Sequence, residues 1–285
     1  MKRFLLLLLL CCLTTIGLLA DGTIRDGQSE LYWYTDDTDP EDNGEMDWEL
    51  DDSGTDQAYQ LWFWYRINQQ GVETALPPPD TESFVGNTAL LKWTNLHGLN
   101  FDVAITAVIK DKLGNAASLS ITTQVTNKTG SELSLNFFQY MDLDKGDSSD
   151  EDEARLIGTD LIEIKDLGTG DICQFAGVDA SAYQVLEYSD LLDLLVDAQK
   201  TDLDNTGLPF VAEDWTGAFQ WVLTIPAGAT RSILAGTGGN QASPVKTVSK
   251  MVIPTMGKWA LFILGLLLVN LALFFIQRNR LPTST

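Results

Sequence analysis

The sequence predicts a mainly β protein: an antiparallel β-sandwich with one short helix, an N-terminal signal peptide and a C-terminal transmembrane helix. Three observations carry this reading. Short runs rich in β-branched and aromatic residues recur through the middle of the chain, tight-turn signatures separate them, and a single stretch has leucines at helical spacing. Many short strands joined by tight turns pack as sheet on sheet.

In chain order, "MKRFLLLLLLCCLTTIGLLADG" comes first. It has a short basic start, an apolar run and then the small residue Ala20. This is a secretory signal peptide pattern over residues 1–20, with cleavage expected after Ala20. Cys11 and Cys12 lie inside the apolar run, and no small residue precedes either in the manner of a lipid-modified cysteine. Once the signal is removed only Cys173 remains, so no intramolecular disulfide can form. In "GDICQFAG" it reads as a small buried apolar residue.

The middle, residues 21–240, is expected to be one acidic extracytoplasmic domain. "YQLWFWYRI" has high β-propensity, and "FDVAITAVIKD" and "ASLSITTQVTN" flank a "KLGN" hairpin turn. "LSLNFFQYMDLD" follows "KTGSE", and "GAFQWVLTI" is joined to "TRSILAG" through "PAGA". The helix is expected in "SDLLDLLVDAQK", with Ser189 at its cap. Trp62 and Trp64 fall on one strand face, and Phe63 and Tyr65 on the other. A two-sheet core needs such rings, so most are expected inside rather than on a sugar-stacking surface.

The charge is one-sided. The chain carries 18 cations and 40 acids, a net charge of -22, and neither terminal segment holds an acid. Lys2, Arg3, Lys258, Arg278 and Arg280 sit in those ends, which leaves 13 cations against 40 acids, about -27, in between. Such a domain repels nucleic acid, so no nucleic-acid partner is expected. It suits cations or simple solubility.

Few residues offer catalysis. His97, in the turn "TNLHGLN", is the one histidine, and a turn residue is the expected role. Paired carboxylates are the chemistry of glycoside hydrolysis, but among 40 acids no pair stands out. Calcium gives a sharper pattern. "DLDNTGLPFVAE" places Asp202, Asp204, Thr206, Gly207 and Glu213 at positions 1, 3, 5, 6 and 12 of an EF-hand-like loop after a helix. Pro209 and the following strand argue against it, and a solvated acidic loop is the competing reading. The clusters "DTDPEDNGEMDWELDD" and "DLDKGDSSDEDE" are expected to be solvated loops that repel and extend.

After a linker at 241–252, residues 259–276 hold no charge. A helix there would be about 27 Å long, enough to span a bilayer core. Trp259 suits the interface, and Arg278 and Arg280 suit the cytoplasmic side, ahead of a tail at 281–285. Directly before the helix stands "IPTMGKW". Motif, helix and basic end together resemble the IPTL-CTERM sorting signal, a relative of PEP-CTERM signals. Ile253, Pro254, Thr255 and Trp259 match its pattern; Met256 replaces leucine, and Gly257 and Lys258 depart from it. The resemblance implies a membrane partner and recognition by an exosortase-type sorting enzyme. Pro254 physically suits this, because it biases Ile253 to an extended shape. The middle is similar to an uncharacterised β-rich domain of PEP-CTERM exported proteins, through "TTQVTNKTGSELSLNFFQYMDLD" and "GAFQWVLTIPAGATRSI".

Together these readings predict an exported surface or cell-envelope protein with a structural or interaction role, and not an enzyme. It would reach the inner membrane through its C-terminal helix and then the envelope, surface or exterior. The alternatives are a calcium-assisted module binding carbohydrate such as exopolysaccharide, and a carboxylate-based glycoside hydrolase.

Overall fold

The computed structural model describes residues 22–67, 71–145 and 151–240. The predicted signal peptide, the linker, Ile253, Pro254, Thr255, Trp259, the helix at 259–276, Arg278, Arg280 and the tail lie outside these residues. No helix among the described residues is long and apolar enough to cross a membrane.

Three antiparallel sheets form the domain. A small sheet joins β1 (Gly22–Asp26), β2 (Ser29–Trp33) and β3 (Met46–Glu49). The next elements are β4 (Gln60–Ile67), β5 (Thr74–Ala75), β6 (Thr81–Val85), β7 (Thr88–Trp93), β8 (Phe101–Asp111), β9 (Ala117–Asn127) and β10 (Leu133–Asp142). They are followed by β11 (Asp152–Ile157), β12 (Leu161–Asp166), β13 (Ile172–Val178) and β14 (Ala182–Glu187). Helix α1 (Asp190–Val196) then precedes β15 (Phe210–Glu213), β16 (Trp215–Ile225) and β17 (Thr230–Gly239). A five-stranded sheet has the order β14-β16-β10-β4-β5, and a nine-stranded sheet the order β15-β11-β12-β13-β17-β9-β8-β7-β6.

The five-stranded sheet is the inner layer. Tyr65, Phe137 and Trp221 stand side by side across β4, β10 and β16 and share one face. On that face Tyr65 meets Phe101 of β8 at 5.4 Å, and Phe219 meets Phe175 of β13 at 4.8 Å. This is contact between the two sheets of a sandwich. The alternate residues Trp62, Trp64, Phe138 and Tyr140 point the other way and are also fully buried. Burial on both faces explains why "QLWFWYRI" shows no polar alternation. In the nine-stranded sheet β8 alternates buried and half-buried residues, as expected with one face toward solvent.

Helix α1 and the segment after it cover the far face of the inner sheet. Leu191, Leu192 and Leu195 are buried there. The strap 201–207 then runs across: the Leu203 N–H donates to Gln220 Oε1 at 2.8 Å, and Thr206 forms a parallel bridge with Gln184 of β14. Arg66 of β4 is 1% exposed and fastens the strap, donating to Glu73, to the Thr201 carbonyl and to Asp202. The helix is shorter than the leucine pattern suggests. Asp197 Oδ1 accepts from the Gln199 N–H at 2.6 Å, an Asx turn that ends it, and Ser189 makes no side-chain cap bond.

Candidate functional site: an acidic cluster beneath two tyrosines

The site is built at the end of the central strand, β10. Asp142 is the last residue of β10 and sits between Gln60 of β4 and Thr216 of β16. Asp144 lies two residues beyond it, and Asp214 immediately precedes β16. The register therefore draws together residues some seventy positions apart. One carboxylate oxygen from each of Asp142, Asp144 and Asp214 lies within 4.8 Å of the others.

Two rings flank this cluster, held there by the backbone. The Tyr59 N–H donates to the Asp142 carbonyl at 3.2 Å, and the Tyr188 N–H to the Asp214 carbonyl at 3.1 Å. The rings meet edge to face with centroids 6.0 Å apart, and are 36% and 41% exposed. Tyr59 also donates its hydroxyl to Glu45 at 3.1 Å.

Below the rings Asp142 is the buried member of the cluster, and Asp144 and Asp214 are half-buried. Asp142 is 2% exposed. Its Oδ2 accepts a long bond from the Tyr140 hydroxyl, 3.4 Å, and its Oδ1 has no hydrogen-bond partner. Burial, then the charges of Asp144 and Asp214, push its carboxyl well above the usual carboxylate range. Asp152 pairs across the ladder with Asp166, and both are fully buried. Burial first and then Asp166 raise Asp152 to about 8. The Trp215 backbone N–H favours the Asp152 anion electrostatically but does not reach hydrogen-bond geometry. Lys145, also fully buried, donates to Gln57. Such a group of acids can share protons or hold a hard cation.

A concavity of about 510 Å³ lies elsewhere, on the nine-stranded sheet between β11, β12 and β15. Arg155 and Glu163 on its wall are satisfied by one another, with N···O distances of 2.6 and 2.9 Å.

The fold is shared with part of a sugar-processing enzyme. No family model matches the sequence, and no curated protein matches it. Among solved structures, a bacterial glucoamylase complexed with acarbose superposes on 77% of this chain with a TM-score of 0.52 and 10% identity. The chain spans about a third, 32%, of that enzyme. A galactose mutarotase-like protein from Lactobacillus casei matches 77% of this chain and 99% of its own, at 10% identity and a TM-score of 0.44. An α-mannosidase from Bacteroides thetaiotaomicron matches 76% of this chain and 30% of its own, at 10% identity and a TM-score of 0.39. The glucoamylase likeness is one of fold, and it corrects the expectation that this chain is not an enzyme. The non-enzyme reading rested on the scarcity of recognisable catalytic residues, and this fold is also built into an enzyme.

The residues singled out by loop spacing have other work. Asp202 is held by Arg66 and, at 2.5 Å, by Lys200; burial opposes its charge, but these partners keep its carboxyl below the usual range. Asp204 accepts from the Thr206 hydroxyl. Glu213 pairs with Asp152 in the β11–β15 ladder. Gly207 has φ +91° and lies against the Val185 carbonyl. Among the described residues Asp202, Asp204 and Glu213 do not converge, whereas Asp142, Asp144 and Asp214 do.

"DLDKGDSSDEDE" is not wholly a solvated loop, because its Asp142 and Asp152 are buried. The available signal was Asp142 itself, an acid closing a strand built around Phe137, Phe138, Tyr140 and Met141. His97 lies in the 3₁₀ turn Leu96–Gly98 at φ 47°, its Nδ1 2.6 Å from the Tyr65 hydroxyl, whose pKa burial raises to about 12. It is the turn residue the sequence suggests. Cys173 is buried, and burial pushes its thiol up to about 11, so it is unreactive at neutral pH.

Proposed function

We propose that the chain is an exported cell-envelope protein that binds carbohydrate at the Tyr59–Tyr188 site and can process it there. The observation carrying this reading is the placement of two half-exposed tyrosine rings beside the Asp142, Asp144 and Asp214 carboxylates. Sugars present apolar C–H faces and rims of hydroxyls. An aromatic ring face accommodates the first, and carboxylates accept hydrogen bonds from the second. The glucoamylase likeness supports the ligand class, since that enzyme was determined with acarbose.

Export supports the choice of ligand. The basic, apolar start ending at Ala20 suits secretion. "IPTMGKW", with Ile253, Pro254, Thr255 and Trp259, suits processing at the membrane by an exosortase-type enzyme. A protein delivered this way meets exopolysaccharide rather than cytoplasmic metabolites.

The test is a glycan array on the mature protein, followed by calorimetry on the best oligosaccharide. Replacing Tyr59 and Tyr188 together by alanine is expected to weaken binding about fivefold to 150-fold, on the basis of about 0.5–1.5 kcal/mol per aromatic contact. An unchanged affinity would place the ligand elsewhere and refute the assignment. Release of reducing ends by the wild type, lost in Asp214→Asn, would add hydrolysis to binding; a wild type that binds without turnover would limit the site to recognition.

A further inference from the structure

The cluster has the composition of a cation site, and the local sequence pattern points elsewhere in the chain. Its three carboxylates come from the end of β10 and the start of β16, with ligand oxygens within 4.8 Å of one another. Two oxygens bound to one calcium ion at about 2.3–2.6 Å are at most about 5 Å apart, so the spacing already fits. Magnesium is held through one or two carboxylates and keeps most of its waters, so a set of three carboxylates suits calcium better.

A second observation is independent of the clustering. Asp142 is 2% exposed, with Oδ1 facing no donor, and the fully buried Asp152 has neither oxygen in hydrogen-bond geometry. The charge of Asp152 is felt at Asp142, and those of Asp214 and Asp144 at Asp152, so all four acids share one neighbourhood. A buried carboxylate oxygen without a donor is destabilising unless a proton, water or ion completes it. The nearest cation in sequence, Lys145, donates instead to Gln57.

The donor set narrows the metal. Every ligand is a carboxylate oxygen, His97 is bound to Tyr65, and Cys173 is buried as a neutral thiol, so soft metals find no ligand here. Asp144 and Asp214 are half-buried, which leaves a wet side where water or sugar hydroxyls can complete the six to eight ligands calcium takes.

We infer that Asp142, Asp144 and Asp214 form a calcium site beneath Tyr59 and Tyr188. It is distinct from the Asp202–Glu213 loop and belongs to the same surface as the proposed carbohydrate site. The inference deepens the carbohydrate reading, yet its measurement needs no glycan, so either can fail alone.

The experiment is calcium titration of chelator-stripped mature protein by calorimetry, with terbium luminescence as a second probe. One calcium per chain is expected. Asp142→Asn and Asp214→Asn should each weaken it at least tenfold, and Asp204→Asn should leave it unchanged. In chelator, Asp142→Asn should melt above the wild type, because a carboxyl that is costly to bury beside two other acids is gone, and calcium should no longer raise its melting temperature. That pattern also shows that the variant is folded. No binding to the wild type at millimolar calcium would overturn the inference. So would wild-type affinity in Asp142→Asn, or loss of binding in Asp204→Asn alone. Magnesium binding as tight as calcium would overturn the choice of ion.

Discussion

Removing the guanidinium of Arg66 should be among the most damaging single changes in the domain. Arg66 is 1% exposed, its partner Glu73 has a side chain 1% exposed, and Asp202 on its other side is half in solvent. In Arg66→Met the apolar stem is retained over Phe138, whose ring centre lies 5.6 Å from the guanidinium carbon. Glu73 keeps the Thr201 N–H at 3.0 Å but loses its counter-charge in a dry site. Breaking one side of a buried pair costs about 3–5 kcal/mol, whereas an exposed partner such as Asp202 contributes about 1 kcal/mol or less. With a urea m-value of about 2–3 kcal/mol/M, the midpoint should fall by about 1–2 M. The assay is equilibrium urea unfolding followed by tryptophan fluorescence. Adding Glu73→Gln removes the stranded charge, so Arg66→Met with Glu73→Gln should be more stable than Arg66→Met alone. Asp202→Asn should move the midpoint little. A single-mutant loss under about 1 kcal/mol, or a double mutant no better than the single, would show that the pair is not what holds the strap.

Three further outcomes are expected. Gly207→Ala should destabilise by about 1–3 kcal/mol or more, because φ is +91° and the added Cβ would lie 1.8 Å from the Val185 carbonyl oxygen; thermal unfolding measures this. Asp56 is raised to about 6 by burial, against the pull of the Trp48, Ala58 and Gln57 N–H groups. Its folded pKa exceeds the unfolded value of 3.8, so its contribution is fully present below pH 3.8 and is lost as pH rises through about 6. Asp56→Asn, whose Oδ1 can still accept those bonds, should therefore melt like wild type at pH 3.5 and above it at pH 7; a parallel pair of pH curves would contradict this. Finally, Pro254→Ala with Thr255→Ala should leave membrane insertion intact and block removal of the C-terminal helix. A tag after Arg280 that stays on the mature wild-type protein would identify an ordinary anchor.

Legibility from sequence followed the number of wet faces. "FDVAITAVIKD" and "ASLSITTQVTN" are strands over their full lengths, because one side of their sheet meets solvent and the side chains alternate. β10 and β16 were readable from apolar runs and hairpin turns. The shorter strands β11 to β15 were not: "DEARLI" and "LIEIKD" carry charges in runs of six residues. Their pairing is fixed by neighbours in space rather than by local propensity. Among the described residues Asp202, Asp204 and Glu213 do not converge, for a related reason. A spacing rule sees one loop, while the carboxylates that meet come from strands brought together by register.

The distinction between the acids explains why a charge near -27 told so little about the site. Much of that charge serves local geometry. Asp37 Oδ1 accepts from the Asp39 N–H, Asp39 from Glu41, Asp51 from Ser53, and Asp111 from Leu113. Each is an exposed Asx turn in which a short carboxylate tightens its own backbone. An acid used that way is satisfied and wet, and carries no functional implication. Asp142 caps nothing two residues on, has one oxygen without a donor, and lies where burial and two further acids all disfavour its charge. Replacing it by a neutral residue would relieve that cost at once, so a buried carboxylate with an unmet oxygen at the end of β10 is what a bound ion or a reacting group would account for. The exposed turns show where acidity is cheap; the end of β10 shows where it is costly, and that is where a ligand should be sought.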